Sequence, residues 1–314
     1  MVEAMSTEVF EARLRSILAE RYHDKHPFNL RMMAGQLTRA ELQRWVRNRY
    51  YYQTRIPIKD GLILTKADDP GFRRSWIRRI HDHDGTRAGE GGLELWLLLA
   101  ESVGCEREEV ASLRNVLPGV RRACDAYVEL VASHDLLTSV ASSLTELSAG
   151  PYLGRRAEAF QKHYGWIADE GLAYFRSRTE QAPRDAKEGL AYVMAQARTQ
   201  KDQDRCAEAL EGKCRILWTL LDGVAWGGRR PQLAAACRLR EDAESPGVLV
   251  VMPERAVRLS ESGREILDAC DGKGSVEALA GQLYERHPGV ERLHQDVYDF
   301  VEKMEKIGVL ELHP

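Results

Sequence analysis

Arg49, Tyr52 and Gln53 stand at i, i+3 and i+4, so on a helix a guanidinium, a phenol and an amide share one face. They belong to Asn48-Arg49-Tyr50-Tyr51-Tyr52-Gln53-Thr54-Arg55-Ile56-Pro57-Ile58-Lys59-Asp60, a stretch dense in tyrosine and cationic side chains. Two further pairs repeat the i, i+4 spacing: Arg79 with His83, and Tyr174 with Arg178. Arginine forks onto carboxylates through paired hydrogen bonds, and an imidazole near its solution pKa moves protons. Together these groups suit a small planar anion bearing several carboxylates. With Lys59, Arg156 and Lys213 added, converging helices would enclose a strongly cationic interior. Burying cations without partners is costly, so either these residues lie on exposed helix faces or the pocket is made for a polycarboxylate. The spacing is compatible with both.

The elements that must position them are helices. Thr38-Arg39-Ala40-Glu41 is a capping box and starts a helix, which Pro57 is expected to end or kink. Apolar spacing predicts helices at about 7–21, 73–82, 93–103, 120–133, 136–149, 167–179, 183–197 and 202–224. Strand-like alternation is nearly absent here, so residues 1–227 read as an all-α bundle. Trp226-Gly227-Gly228-Arg229-Arg230-Pro231 reads as a linker. Residues 228–314 read as a small α+β module of winged-helix type. It has short strands at Leu239, Val248–Met252 and Ala256–Leu259, and turns at Ser245-Pro246-Gly247 and Pro253-Glu254. A capping box at Ser262 to Glu265 precedes helices at about 262–270, 275–286 and 292–307, and Val309–Leu312 fits a closing strand.

Composition narrows the function. The chain has 314 residues, a net charge of -3 and six cysteines without a C-x-x-C pair, which fits reduced thiols in a cytosol. No apolar run is long enough for a membrane span and no export signal opens the sequence, so a cytoplasmic protein is expected. Residues 229–314 carry 12 Lys+Arg against 16 Asp+Glu, so this module is a poor match for DNA. Neither a nucleotide-binding glycine pattern nor a Gly-x-Ser-x-Gly elbow occurs. A metal would have to use His23 and His26, or His81 and His83, with Asp82, Asp84, Glu146 or Asp185 as oxygen ligands. The paired Glu-x-x-His signature of di-iron bundles is missing, so no metal is expected. His134 and His163 fit structural or surface roles.

A series of blocks then runs in one order: Tyr22-His23 with His26-Pro27-Phe28, Asn48 to Asp60, His81-Asp82-His83-Asp84-Gly85, Leu117-Pro118-Gly119-Val120-Arg121, Asp125-Ala126-Tyr127, Ser142 to Leu147, His163-Tyr164 with Trp166-Ile167, and Tyr174 to Arg178. Over about residues 8–226 this order resembles the pyrroloquinoline-quinone synthases (PqqC). The tail, with Leu259-Ser260, Ser262-Gly263, Glu265-Ile266-Leu267 and Asp271-Gly272, is similar to PqqD. The whole chain resembles a PqqC–PqqD fusion.

The resemblance implies a heme-oxygenase-like helical bundle acting as a homodimer, with O₂ as co-substrate and no metal or organic cofactor. It implies ring closure and multi-electron oxidation of a polycarboxylate quinone precursor (AHQQ) to pyrroloquinoline quinone, with release of H₂O₂. It also implies that the tail binds the PqqA peptide, along a strand edge near Val248–Met252 or Ala256–Leu259, for presentation to PqqE. Carried over to this chain, it implies His83, Tyr174 and Arg178 around O₂ or peroxide, with His83 as a hydrogen-bond donor, and His23 as a further acid/base group. Tyr22, Arg49, Tyr52, Gln53, Lys59, Arg79, Tyr127, Glu146, Arg156 and Lys213 would form the substrate shell. One departure is Leu153, where some members place a histidine, so a proton carrier is absent or replaced. A metal-dependent oxygenase on the same scaffold and a non-enzymatic ligand-binding protein are the alternatives.

Overall fold

The computed structural model describes residues 4–241, 248–290 and 292–313. The chain divides into two compact units, Met1–Val116 with Val120–Leu221, and Leu117–Gly119 with Asp222–Pro314.

The first unit is built from helices. They are α1 (Thr7–Arg21), α2 (Pro27–Met33), α3 (Arg39–Thr65), α4 (Pro70–Asp84), α5 (Gly91–Ser102), α6 (Arg107–Ala111), α7 (Pro118–Ser133), α8 (Leu136–Ser142), α9 (Glu146–His163), α10 (Ala173–Gln196) and α11 (Gln200–Trp226). The first two residues of α7 and the last five of α11 count with the second unit. Thr38 starts α3 with the expected capping box: its hydroxyl accepts from the Glu41 N–H, and the Glu41 carboxylate accepts from the Thr38 N–H at 2.8 Å. Asp69 caps α4 through the Gly71 and Phe72 N–H groups, with Pro70 in the first turn.

Three helices run through a proline. Pro57 does not end α3, and Pro183 lies inside one continuous α10 rather than between two helices. An interior proline costs about 3 kcal/mol. Burial of one large apolar side chain recovers about 1.5–3 kcal/mol, and α3 buries Trp45, Val46, Ile56 and Ile63 on both sides of Pro57. The helix expected over 136–149 is instead broken by a 3₁₀ turn at Ser143–Thr145, and α9 restarts at Glu146 and continues past Pro151. This break aims Glu146 separately from α8. Where α9 meets α10, a Cβ on Gly150 would stand 3.0 Å from the Pro183 ring, so a larger residue there would press the two helices apart slightly. The core beside this crossing is aromatic: Trp45 packs on Trp96 at 5.4 Å between centroids, and Phe160 on Phe175 at 5.4 Å.

The second unit is α+β. Strands β1 (Arg230–Leu233), β2 (Arg238–Glu241), β3 (Val248–Val251) and β4 (Ala256–Leu259) precede α12 (Glu261–Asp268), α13 (Val276–Arg286), α14 (Leu293–Lys306) and β5 (Leu310–His313). β2, β3 and β4 form an antiparallel sheet in that order, and β1 pairs with β5. The segment read as a linker therefore contributes a strand, because β5 offers Arg230–Leu233 a partner far away in sequence. Ser260, not Ser262, caps α12, its hydroxyl accepting from the Gly263 N–H. Val250, Leu259, Ile266, Leu279, Val297 and Val301 lie in one core. The expected turn at 245–247 lies outside the described residues.

Candidate active site

The first unit encloses a cavity of about 560 Å³, its open mouth included. Its wall is assembled from many elements. Arg49, Tyr52, Gln53 and Ile56 come from α3, His83 from α4 and Trp96 from α5. Glu146, Tyr152, Leu153 and Arg156 come from α9, Tyr174 and Arg178 from α10, and Leu217 from α11, with Tyr22 and His23 at the turn after α1. Three guanidiniums therefore face one carboxylate, that of Glu146. Two of these guanidiniums, Arg49 and Arg156, find partial partners only. Arg156 donates to the Tyr152 hydroxyl at 2.7 Å and to Asn29 Oδ1 at 3.0 Å, yet its Nε is buried without a hydrogen bond. Arg49 lies over the Tyr52 ring at 3.9 Å, and its Nη1 is likewise buried and unsatisfied. Buried donors without acceptors are costly, and a ligand carboxylate would satisfy them.

At another part of the wall stand His83, Tyr174 and Arg178. The Tyr174 hydroxyl donates to Gln53 Oε1 at 2.8 Å, and its ring meets Trp96 edge-on at 4.7 Å. Arg178 donates to Glu146 Oε2 at 2.9 Å and faces Asp185 Oδ2 at 3.4 Å. His83 Nδ1 lies 3.0 Å from the Arg79 carbonyl oxygen. A carbonyl only accepts, so in the neutral ring the proton sits on Nδ1 and Nε2 is left as an acceptor. Burial, reinforced by the Arg178 charge, pushes the His83 pKa down to about 4. The neutral ring donates through Nδ1 to Arg79 and offers Nε2 as an acceptor, which becomes a donor only after taking a proton. Burial also places His23 well below the ordinary histidine range, with Arg49 and Arg156 adding to the effect. The phenols of Tyr22, Tyr52 and Tyr174 are raised by burial and stay protonated at neutral pH.

Ten of the fourteen residues singled out from the sequence line this cavity: Tyr22, His23, Arg49, Tyr52, Gln53, His83, Glu146, Arg156, Tyr174 and Arg178. The other four, Lys59, Arg79, Tyr127 and Lys213, are buried behind the wall. Lys59 pairs with Asp60 at 2.7 Å and donates to Ser143 at 3.0 Å. Arg79 stacks on Trp76 at 3.8 Å and donates to the Asp185 carbonyl. Lys213 donates to the Tyr52 hydroxyl at 2.9 Å and sits 3.2 Å over the Tyr127 ring. Burial, with the charges of Arg49 and Lys59, places Lys213 well below the ordinary lysine range. Leu153 lines the cavity as an apolar side chain. Sequence reasoning passed over Tyr152, which stands at i-4 to Arg156 and was open to the same spacing argument. Trp96 and Leu217 lie in ordinary apolar helix patterns that carry no such signal.

Among the described residues no three His, Cys, Asp or Glu side chains gather as metal ligands do. His26 turns away from the cavity: its Nδ1 accepts from the Phe28 N–H, and its ring meets Trp218 at 4.9 Å. Asp185 is engaged by arginines. No helix among the described residues is long and apolar enough to cross a membrane.

Comparison with known proteins bears on this geometry. The TENA/THI-4/PQQC family model matches residues 11–223, and the model for Coenzyme PQQ synthesis protein D (PqqD) matches residues 247–310. The chain is 45% identical over 220 residues to a pyrroloquinoline-quinone synthase of Gluconobacter oxydans, covering 70% of this chain and 92% of that one. It is 34% identical to a bifunctional coenzyme PQQ synthesis protein C/D of Methylorubrum extorquens, covering 98% of this chain and 95% of that one. Among solved structures, a TenA homolog from Pseudomonas syringae superposes with a TM-score of 0.59 at 13% identity, over 72% of this chain and 97% of that one. A domain with a heme oxygenase-like fold from Shewanella denitrificans superposes with a TM-score of 0.54 at 19% identity, over 69% and 89%. At such identities the superpositions speak to the fold, which is heme-oxygenase-like. From its ordered motifs, its bundle and these matches together, the chain belongs to the TENA/THI-4/PQQC family and carries a PqqD domain behind it.

Proposed function

We propose that this protein acts in pyrroloquinoline quinone biosynthesis, its first unit closing a ring and oxidising a polycarboxylate quinone precursor with O₂, and its second holding the precursor peptide. The observation that carries the reading is the cavity wall itself. Arg49 and Arg156 offer unsatisfied buried donors to carboxylates, while His83, Tyr174 and Arg178 stand together on the same wall. Ring closure by addition onto the quinone leaves the ring at the quinol level, and an electron-rich quinol reduces O₂ without help from a metal. Each such step moves two electrons and two protons from the ring to O₂ and yields H₂O₂. His83 Nε2 takes a proton as the ring is oxidised, and the resulting imidazolium gives it to the reduced oxygen. Arg178 stabilises the negative charge that develops there, and Tyr174 orients it through its hydroxyl. No resident metal or organic cofactor takes part in this scheme.

In the second unit β3 is paired on both edges, so the expected docking edge at Val248–Met252 has no free side over Val248–Val251. An added peptide strand would pair with the outer edge of β4 or β2. The peptide class follows from the PqqD match: the precursor peptide PqqA, handed on to the radical enzyme PqqE. A homodimer fits the family.

The test is anaerobic mixing of metal-stripped protein with the quinol precursor, followed by a pulse of O₂ with absorbance and peroxide recorded. Formation of the quinone, impaired in His83→Ala and Tyr174→Phe, is the expected result. Turnover only after iron is restored would make the protein a metal-dependent oxygenase. No turnover under either condition would make the bundle a ligand-binding protein.

A further inference from the structure

Asp185 is a buried carboxylate on α10, 2% exposed, that the chemistry above does not use. Its two oxygens serve different guanidiniums. Oδ2 faces Arg178 Nη1 at 3.4 Å, and Oδ1 accepts from Arg184 Nη2 at 2.8 Å. Its backbone carbonyl accepts from Arg79, whose own carbonyl holds His83 Nδ1 at 3.0 Å. One residue outside the cavity thus reaches both cavity groups assigned to the oxygen step, Arg178 through its side chain and His83 through Arg79. We propose that Asp185 is a positioning residue for the reaction with O₂, fixing Arg178 before charge develops on the oxygen. The inference rests on the oxidase reading given above.

The argument turns on how Arg178 is shared. Inside the cavity its Nη2 is bound to Glu146, a partly exposed acid on the wall. A reduced oxygen species or a substrate hydroxyl that engages Nη2 or Glu146 loosens this contact. The Asp185 contact uses the other terminal nitrogen, Nη1, which also donates to Gln181 Oε1 at 3.3 Å, and Asp185 is the charged one of these two acceptors. A donor aimed in advance costs no reorganisation when the charge appears, whereas a guanidinium free to swing does. Burial alone would raise the Asp185 pKa, but the charges of Arg79 and Arg178 hold it below the ordinary carboxylate range, so it stays an anion.

Asparagine at this position separates geometry from packing. It has the same shape but one acceptor oxygen instead of two, so its amide N–H₂ must point at either Arg178 or Arg184, donor to donor. The experiment is stopped-flow oxidation of the anaerobic quinol complex by O₂, comparing the full-length wild type with Asp185→Asn and Arg184→Met. The second variant removes Asp185's other partner and leaves the Arg178 contact. We expect the O₂ rate constant of Asp185→Asn to fall about 10-fold or more, with anaerobic precursor affinity within about 2-fold and Arg184→Met close to wild type. An O₂ rate in Asp185→Asn within about 2-fold of wild type would overturn the proposal. So would an equal loss in Arg184→Met, which would mean that α10 merely needs its ion pairs. Should Asp185→Asn not fold, Asp185→Glu keeps both acceptors but moves them by one methylene, and the same comparison applies. A wild type that never oxidises the quinol removes the oxidase reading itself, an outcome distinct from a variant that behaves like an active wild type.

Discussion

His83 shows what a single residue gains from its surroundings. Its position at i+4 from Arg79 was legible in the sequence, but its tautomer was not, because that is set by a backbone carbonyl and not by a side chain. Buried beside Arg178, it is a neutral base down to about pH 4. The free ring in the unfolded chain takes a proton near pH 6.5, while the folded one resists until about pH 4. Stability therefore falls as the pH drops from 6.5 toward 4, and His83→Gln should flatten that part of a denaturation-versus-pH curve. The curve for His83→Gln lying on top of the wild-type curve would contradict the assignment. Arg49 makes a different prediction. Its Nη1 has no hydrogen-bond partner among the described residues, and on the proposed function it takes a ligand carboxylate, a charged hydrogen bond of about 1.5–3 kcal/mol. Arg49→Ala should raise KM for the quinol about 10-fold or more and leave kcat within a few-fold, since that contact exists in ground and transition states alike. Spacing also named Arg79, and Lys59 and Lys213 were added to it as further cations, but all three are one layer back. An i, i+4 rule fixes a face and not a depth, so sequence alone did not separate wall from backing.

At the scale of elements, the helices were legible wherever a cap or an apolar stripe marked them, as at Thr38, whereas the Asp69 cap of α4 was passed over. The 3₁₀ break at Ser143–Thr145 carried no signal of its own, while at Pro57 and Pro183 local propensity says stop and tertiary burial says continue. This matters for the site, because Pro57 lacks the N–H that would bind the Gln53 carbonyl, one turn back, and Gln53 receives the Tyr174 hydroxyl. Pro57→Ala restores a normal helical turn there. We expect thermal stability to stay level or rise slightly while oxidation slows several-fold, because a small misplacement of Tyr174 is costly to rate. A variant equally stable and equally active would show that the α3 irregularity has no part in the site. The link between α4 and α5 is tighter still. Gly91 has φ +88, and a Cβ on it would stand 2.3 Å from the Gly85 nitrogen. Gly92 lies between the His83 backbone and the Tyr174 ring, where a Cβ would come within 3.3 Å of Tyr174. Glycine was visible in the sequence only as a loop signal, since no single-sequence pattern reports which neighbours it must admit.

For the whole molecule, the change from helices to strands near residue 228 was legible from texture alone, while the pairing of β1 with β5 was not, because about eighty residues separate the two strands. Two units are proposed to carry two separable tasks. That separation is testable in the intact chain. The outer edge of β4 is unpaired among the described strands, and successive residues of a strand point their N–H groups to opposite edges. Of Val257→Pro and Arg258→Pro, one therefore removes an outward N–H and the other breaks the ladder to β3. The outward variant, identified by retained chemical shifts in β2 and β3, should lose the shift changes that PqqA peptide produces. It should keep quinol oxidation at the wild-type rate. His83→Ala should do the reverse, losing oxidation and keeping the peptide response. If the proline variant binds peptide as well as wild type, β4 is not the docking edge and the exposed β2 edge takes its place. If it loses both activities together, the two units are coupled, and the peptide-binding domain acts on the oxidase as well as beside it.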